Sequence, residues 1–270
     1  MRDPLPPISL LLEYDGTDFV GWQVQPNGRS VQEEVERALG VVCATPIRVI
    51  AAGRTDSGVH ALGQVASFIP PVERPMVAFE KGLNGLLPRD VAVREARIRT
   101  PGFDARRSAR GKLYRYRIAN LPARSPLTSR QSWQVFPPLD VEAMRRAATH
   151  LIGTHDFAAF RAANCEAQTT VRTMRRLEVR GESGGEIAIE VEASAFLKHM
   201  VRNLVGTLVE VGFGLRTPEN VAEVLAQKDR TLAGRTAPPQ GLCLVEVYYP
   251  PDGEARRPIE AEIGGQIESD

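Results

Sequence analysis

The sequence predicts an α+β protein made of two halves, each running strand, helix, strand, strand, helix, strand. Three observations carry that expectation. Short runs rich in β-branched and aromatic residues alternate with period two. The segments between them bear apolar stripes at helical spacing behind capping residues. The whole order then recurs after a basic connector at 105–117.

The first half opens on the strand-like run ISLLLEY, 8–14. A helix is expected over 30–42, where Ser30 and Glu33 have capping-box spacing and Val31, Val35, Ala38, Leu39 and Val42 form one stripe. Strands follow around 46–52 and 59–69. A second helix carries Met76, Phe79, Leu83 and Leu86 or Leu87 and stops at Pro88, and DVAVREARIR closes the half as a strand. In the second half KLYRYRIA alternates as a strand, and Asp140 caps a helix bearing Val141, Met144, Ala148 and Leu151. Strands occupy 171–180 and 186–192, and a long helix over 196–212 buries Phe196, Met200, Leu204, Leu208 and Val211. Thr217 and Pro218 start a short extra helix, and LCLVEVYY is the last strand. Twice over, this is the ferredoxin-like split βαβ order, a layer of helices on a mixed or antiparallel four-stranded sheet. The expected boundaries are 1–104 for the first domain, 105–250 for the second, and 251–270 for an acidic tail. Two such sheets side by side would flank a central cleft, and sites tend to lie at such junctions.

Composition narrows the class. With 270 residues, 43% hydrophobic and 25% charged, the chain matches a soluble globular protein large enough to bury a substantial core. Its start has too short an apolar run for a signal peptide, and the apolar stretch HMVRNLVGTLVEVGFG carries Arg202 and Glu210, so no membrane span is expected. Cys43, Cys165 and Cys243 lie far apart with no C-x-x-C pair, which points to a reducing, cytoplasmic compartment and away from a zinc or disulfide framework. His150 and His155 are off the spacing of a helical zinc pair, so no metal is expected.

Net charge is informative once divided. The tail from Pro251 holds six acids and two bases, which leaves the rest of the chain with 32 bases against 27 acids, a balance of +5. That tail, rich in Gly, Pro and Glu and without periodicity, reads as disordered. The run ARRSARGKLYRYR at 105–117 has six cations and no acid. It could be a solvated face. Tyr114 and Tyr116 within it favour nucleic acid, because aromatics stack bases while Arg and Lys hold phosphates. Arg106 and Arg110 head the run as candidate phosphate contacts.

The most distinctive stretch is AAGRTDSGVHALGQVASF, 51–68, which sets Arg54, Thr55 and Asp56 between two glycines. A turn alone would explain Asp56-Ser57-Gly58, since Asp bonds its own backbone and Gly accepts positive φ. Several stretches taken together resemble the tRNA pseudouridine synthase A family: YDGTDFVGWQVQP, GRTDSGVHALGQVASF, LNGLLPRDVAV, FDARRSARGKLYRYRI, GTHDFAAF, FLKHMVRNLVGTLVEVG and APPQGLCLVEVYY. They span nearly the whole chain to residue 250. The resemblance implies isomerisation of uridine to pseudouridine in the tRNA anticodon stem-loop, without cofactor or metal, by a homodimer of two-domain protomers. It implies that Asp56 is the catalytic aspartate, that Arg54 contacts the RNA backbone as the target nucleotide flips, that Tyr114 packs on the target base, and that Arg202 is the carboxylate's basic partner. One departure is Phe103-Asp104-Ala105-Arg106, where the family commonly reads F-H-A-R, so Asp104 is left out of the site.

The chemistry suits these residue types. A base inside a stacked helix must be flipped into a pocket to be reached. There a carboxylate can attack covalently and hold one fragment while the other turns. A carboxylate in a pocket that excludes water needs a compensating cation. Spacing alone would make Arg202 a surface charge on an amphipathic helix, and Tyr114 a core tyrosine sharing its strand face with Lys112, Tyr116 and Ile118. His60 and His155 could be general bases, although no neighbour in sequence argues for it. Two other functions compete: a non-catalytic RNA-binding module on a ferredoxin-like sheet, and a glycosidic hydrolase, which would need a second carboxyl group.

Overall fold

The alternating apolar runs pair into a single sheet in the computed structural model, which describes residues 4–251. In chain order the first half contributes β1 (Ile8–Tyr14), α1 (Val31–Cys43), β2 (Ile50–Ala51), β3 (His60–Phe68), α2 (Leu83–Leu86) and β4 (Val91–Ile98). The second contributes β5 (Gly111–Ala119), β6 (Trp133–Gln134), α3 (Val141–Thr149), β7 (Gly153–Asp156), β8 (Val171–Gly181), β9 (Glu186–Ala193), α4 (Met200–Gly212), α5 (Asn220–Gln227) and β10 (Leu242–Tyr248). The strand order is β4-β1-β3-β10-β5-β9-β8-β7, with β2 on β3 and β6 on β5. The result is a mixed α+β protein with a large, mostly antiparallel sheet.

Two separate sheets flanking a cleft were expected; the strands instead form one continuous sheet. The seam is the parallel pairing of β10 with β3, Cys243 opposite His60 and Leu244 opposite Ala61. The reason lies at β3. Its partner β2 is only two residues long and faces Ser67 and Ala66, which leaves the His60 end to accept another strand. β2 is shorter than the expected 46–52 because Pro46 has no amide to donate and the Val49 amide goes to the Glu36 side chain (3.1 Å).

The helices follow their caps. Ser30 Oγ accepts the Glu33 amide at 3.3 Å and Asp140 Oδ1 that of Ala143 at 2.8 Å. α1 buries Val31, Val35, Ala38, Leu39 and Cys43, while Val42 is only partly covered. The second helix of the first half begins with a π-type turn, Ala78–Gly82, before α2. Thr217 Oγ1 accepts the Asn220 amide at 3.3 Å, one turn ahead of α5. The expected 196–212 helix starts only at Met200, because His199 adopts φ 62°. β6 and β7 have no counterpart in the sequence expectation. α4 is buried nearly all round, and on it lies the segment 234–237: a Cβ on Gly206 would stand 1.7 Å from Arg235 O, so only glycine permits that approach. No helix among the described residues is long and apolar enough to cross a membrane. The acidic tail lies outside the described residues except for Pro251.

Candidate active site

Asp56 sits in the loop between β2 and β3, close to the seam. The turn that the sequence suggests does form, but the backbone builds it. Asp56 O accepts the Val59 amide (3.1 Å), and Gly58, at φ 77°, supplies the left-handed residue. The carboxylate is thereby left for other work. Beside it Thr55 is buried, its hydroxyl 2.8 Å from the Tyr14 hydroxyl and its carbonyl accepting the Trp22 amide at 3.1 Å. Gly21, at φ 116°, lets that strand of chain close in, since a Cβ there would lie 2.7 Å from Thr55 O. Gly21→Ala is expected to lower stability by about 2–3 kcal/mol, from the forced φ and the clash together. A urea midpoint unchanged from the parent would show that this contact does not hold the loop.

The carboxylate reaches across to α4. Arg202 Nη1 donates to Asp56 Oδ2 at 3.1 Å, and Arg202 Nε donates to Ala237 O at 2.8 Å, which aims the guanidinium. The Arg202 side chain is 14% exposed and that of Asp56 27%, so the pair is shielded yet reachable. Arg202 is in the first turn of α4, whose dipole also favours an anion. A third group was missed by sequence reasoning: His199 Nε2 lies 3.5 Å from Asp56 Oδ2. Burial holds the His199 ring below the usual imidazole range, with Arg202, Lys198 and Arg230 adding to the shift and Asp56 opposing it. Its left-handed backbone is the strain that functional sites concentrate, and its place three residues before Arg202 was the available signal. His60 and His155 are held by backbone bonds. His60 accepts the Gly16 amide on Nδ1 (3.1 Å) and donates from Nε2 to Arg130 O (2.8 Å), and His155 Nε2 bonds Ile152 O (2.8 Å).

The two tyrosines of β5 differ in one decisive way. Tyr116 is fully buried and donates its hydroxyl to Pro238 O at 2.7 Å. Tyr114 is 7% exposed, lies edge-on to Phe196 with ring centroids 5.0 Å apart, and its hydroxyl has no hydrogen-bond partner among the described residues. Burial pushes the Tyr114 phenol well up, and the nearby Tyr14 and Asp56 push it further, so it stays a neutral donor.

The basic run divides. Arg115 donates twice to Glu190 Oε1 (3.0 and 2.7 Å), and Arg117 reaches Glu186 (2.8 and 3.1 Å), both across the β5–β9 pairing. These two cations are structural, contrary to a run wholly given to a ligand; their partners lie some seventy residues away in sequence. Arg54 and Arg106 are exposed, and neither guanidinium has a partner among the described residues. Arg110 stands just ahead of β5, its amide on Tyr248 O (2.8 Å) and its carbonyl on Arg175 Nη2 (3.0 Å), about 13 Å up the chain from Tyr114. Asp104, the departure from the family pattern, accepts the amides of Arg106 (2.9 Å) and Arg107 (2.8 Å) on Oδ1 and so fixes the turn that presents them. The structure therefore brings Asp56 and Arg202 into contact and sets Tyr114 within reach of the carboxylate's charge, with Arg54 on the same loop as Asp56 and Arg110 just ahead of the strand that carries Tyr114.

Comparison with known proteins identifies the family. The model of a family described as tRNA pseudouridine synthase matches residues 11–106 and 147–250. The chain belongs to that family. A tRNA pseudouridine synthase A from Myxococcus xanthus is 57% identical over 254 residues, 94% of this chain and 96% of the relative. The namesake proteins of Syntrophotalea carbinolica and Dechloromonas aromatica are 52% and 46% identical, covering 90% and 96% of this chain and 96% and 99% of their own lengths. Asp56, Arg54, Arg106 and Arg202 lie within the segments that the family model matches, whereas Tyr114 falls in the gap between them.

Proposed function

We propose that this chain isomerises uridine to pseudouridine in tRNA, with Asp56 as the catalytic carboxylate, Arg202 as its cationic partner and Tyr114 as the residue on which the flipped base packs. One observation carries the reading: the carboxylate of Asp56 is turned off its own turn and onto Arg202 (3.1 Å). The reaction breaks the bond from ribose C1′ to uracil N1, turns the ring, and joins C1′ to C5. The C5 proton is lost and N1 gains one, so product and substrate have equal mass. A carboxylate can serve by attacking C1′, by attacking the ring, or by assisting elimination, and all three routes require it charged and free of its own backbone. Arg202 supplies the compensating charge, and Ala237 O holds Arg202 in place. Tyr114, with its hydroxyl uncommitted, can both stack the base and transfer a proton. No cofactor enters this scheme.

The finer features belong to the same proposal. The substrate region is the tRNA anticodon stem and loop, held by Arg54, Arg106 and Arg110, and the enzyme acts as a homodimer in the cytoplasm. The strand orders β4-β1-β3-β2 and β10-β5-β9-β8 support two ferredoxin-like halves, 1–104 and 105–250, fused at one edge. Incubation with transcribed tRNA followed by pseudouridine mapping tests the function. Free uracil would mean hydrolysis, and binding without product a non-catalytic module.

Reversing the charge of Arg106 and Arg110 together is expected to weaken tRNA binding. Each lost phosphate contact should flatten the log–log salt dependence by roughly 0.7–0.9. Titrations at several salt concentrations check this, and an unchanged slope would make both residues part of a solvated face.

A further inference from the structure

Lys112 is a sheltered cation among cations. It leaves β5 on the face of Tyr114, two residues away, and its side chain runs along Gly53: a Cβ built there would stand 3.1 Å from Lys112 Cε and 3.6 Å from Nζ. No carboxylate and no hydrogen-bond acceptor pairs with the ammonium among the described residues. The charges that act on it are both positive, Arg106 and Arg172, and its cross-strand neighbours Ala193 and Val247 are apolar. Burial first, and those cations second, push Lys112 down to about 8. Arg172 is short of acceptors too. Its Nη1 donates to Thr169 O (2.9 Å) and Val171 O (2.6 Å), but its buried Nε has no partner among the described residues.

A cluster of this kind repels itself unless an anion joins it, and lysine and arginine offer donors only. We propose that Lys112, with Arg106 and Arg172, forms a phosphate-binding subsite that grips the RNA backbone beside the nucleotide held over Asp56 and Tyr114. The proposal rests on the RNA-modifying function argued above. Two residues of strand span about 7 Å, which puts the ammonium to the side of a base stacked on Tyr114, where its backbone would run. Gly53 completes the arrangement. Without a side chain it leaves the lysine room to swing, and its position just before Arg54 joins the subsite to the Asp56 loop. A phosphate favours the charged amine, so binding couples to protonation: affinity falls as pH rises through about 8.

Lys112→Met keeps the apolar stem and removes the charge. With the full chain and transcribed tRNA, affinity at low salt should fall about tenfold and the log–log salt slope should shrink by roughly 0.7–0.9. KM should rise by more than kcat falls, and the fall of affinity above pH 8 should vanish. Lys112→Arg should restore the slope without restoring the pH dependence, because arginine stays charged. Gly53→Ala, which keeps every charge but crowds the ammonium, should raise KM in the same way. If a folded Lys112→Met keeps the parental salt slope and pH profile, the lysine is a buried stem and the subsite does not exist. Should Lys112→Met fail to fold, pH dependence persisting in Lys112→Arg overturns the proposal. A parent protein that binds tRNA but makes no pseudouridine refutes the function alone, and the salt slopes still decide the subsite.

Discussion

Asp56→Asn protein is expected to bind tRNA within a few-fold of the parent and to form no pseudouridine. Asparagine preserves the shape, and its side-chain oxygen can still face Arg202 Nη1, 3.1 Å away in the parent, while Ala237 O keeps its hold on Nε. The loop survives as well, because its turn is made by Asp56 O and the Val59 amide rather than by the carboxylate. What disappears is charge and nucleophilicity. A group that moves a proton in the rate-limiting step is worth about 10²–10⁴-fold, and losing a nucleophile removes the covalent step itself. Single-turnover assays with mapped tRNA measure the loss directly. Residual turnover within tenfold of the parent would remove Asp56 from the chemistry and leave the motif as a loop device.

Tyr114→Phe separates two roles that the site combines. The phenyl ring keeps its edge-on packing with Phe196, so base stacking, worth about 1–3 kcal/mol, should survive and tRNA affinity should change only a few-fold. The hydroxyl is the part lost, and it is the uncommitted one. If it moves a proton at C5 after the ring rejoins, the single-turnover rate should fall by about 10²–10⁴ with binding nearly unchanged. Tyr116→Phe is the control. It strands Pro238 O and should lower stability by about 1 kcal/mol while barely altering the rate. Normal turnover in Tyr114→Phe alongside a defect in Tyr114→Leu would make Tyr114 a stacking platform only. A rate defect confined to Tyr116→Phe would shift the role to the other tyrosine.

Much of this architecture was legible because it is local. Ser30 and Asp140 start helices by bonding amides three residues on, and the period-two alternation of β5 is enough to place Tyr114 and Lys112 on one face. The contact between Asp56 and Arg202 was legible through the motifs around them. What stayed hidden depends on partners distant in the chain. Period-two alternation says which face a residue occupies but not which strand edges meet, so two sheets were expected where the edge of β3 accepts β10. The acid-free run looked uniformly basic because the glutamates that neutralise Arg115 and Arg117 belong to β9. His199 escaped notice because its value comes from a left-handed backbone at the head of α4, which no propensity assigns to histidine.

The seam between β3 and β10 also bears on when the enzyme becomes competent. β10 stands between β3, which follows the Asp56 loop, and β5, which carries Tyr114. His60 and Gln240, which touch across this junction, are 180 residues apart. Contacts that span so much chain form late, since the entropy of closing the loop must be met before the pairing repays it. During synthesis each half can gather its own helices and strands while carboxylate and phenol remain strangers. Only when the 242–248 segment leaves the ribosome and slots between them can they become neighbours, so the site proposed above is expected to assemble in one late step rather than to grow with the nascent chain.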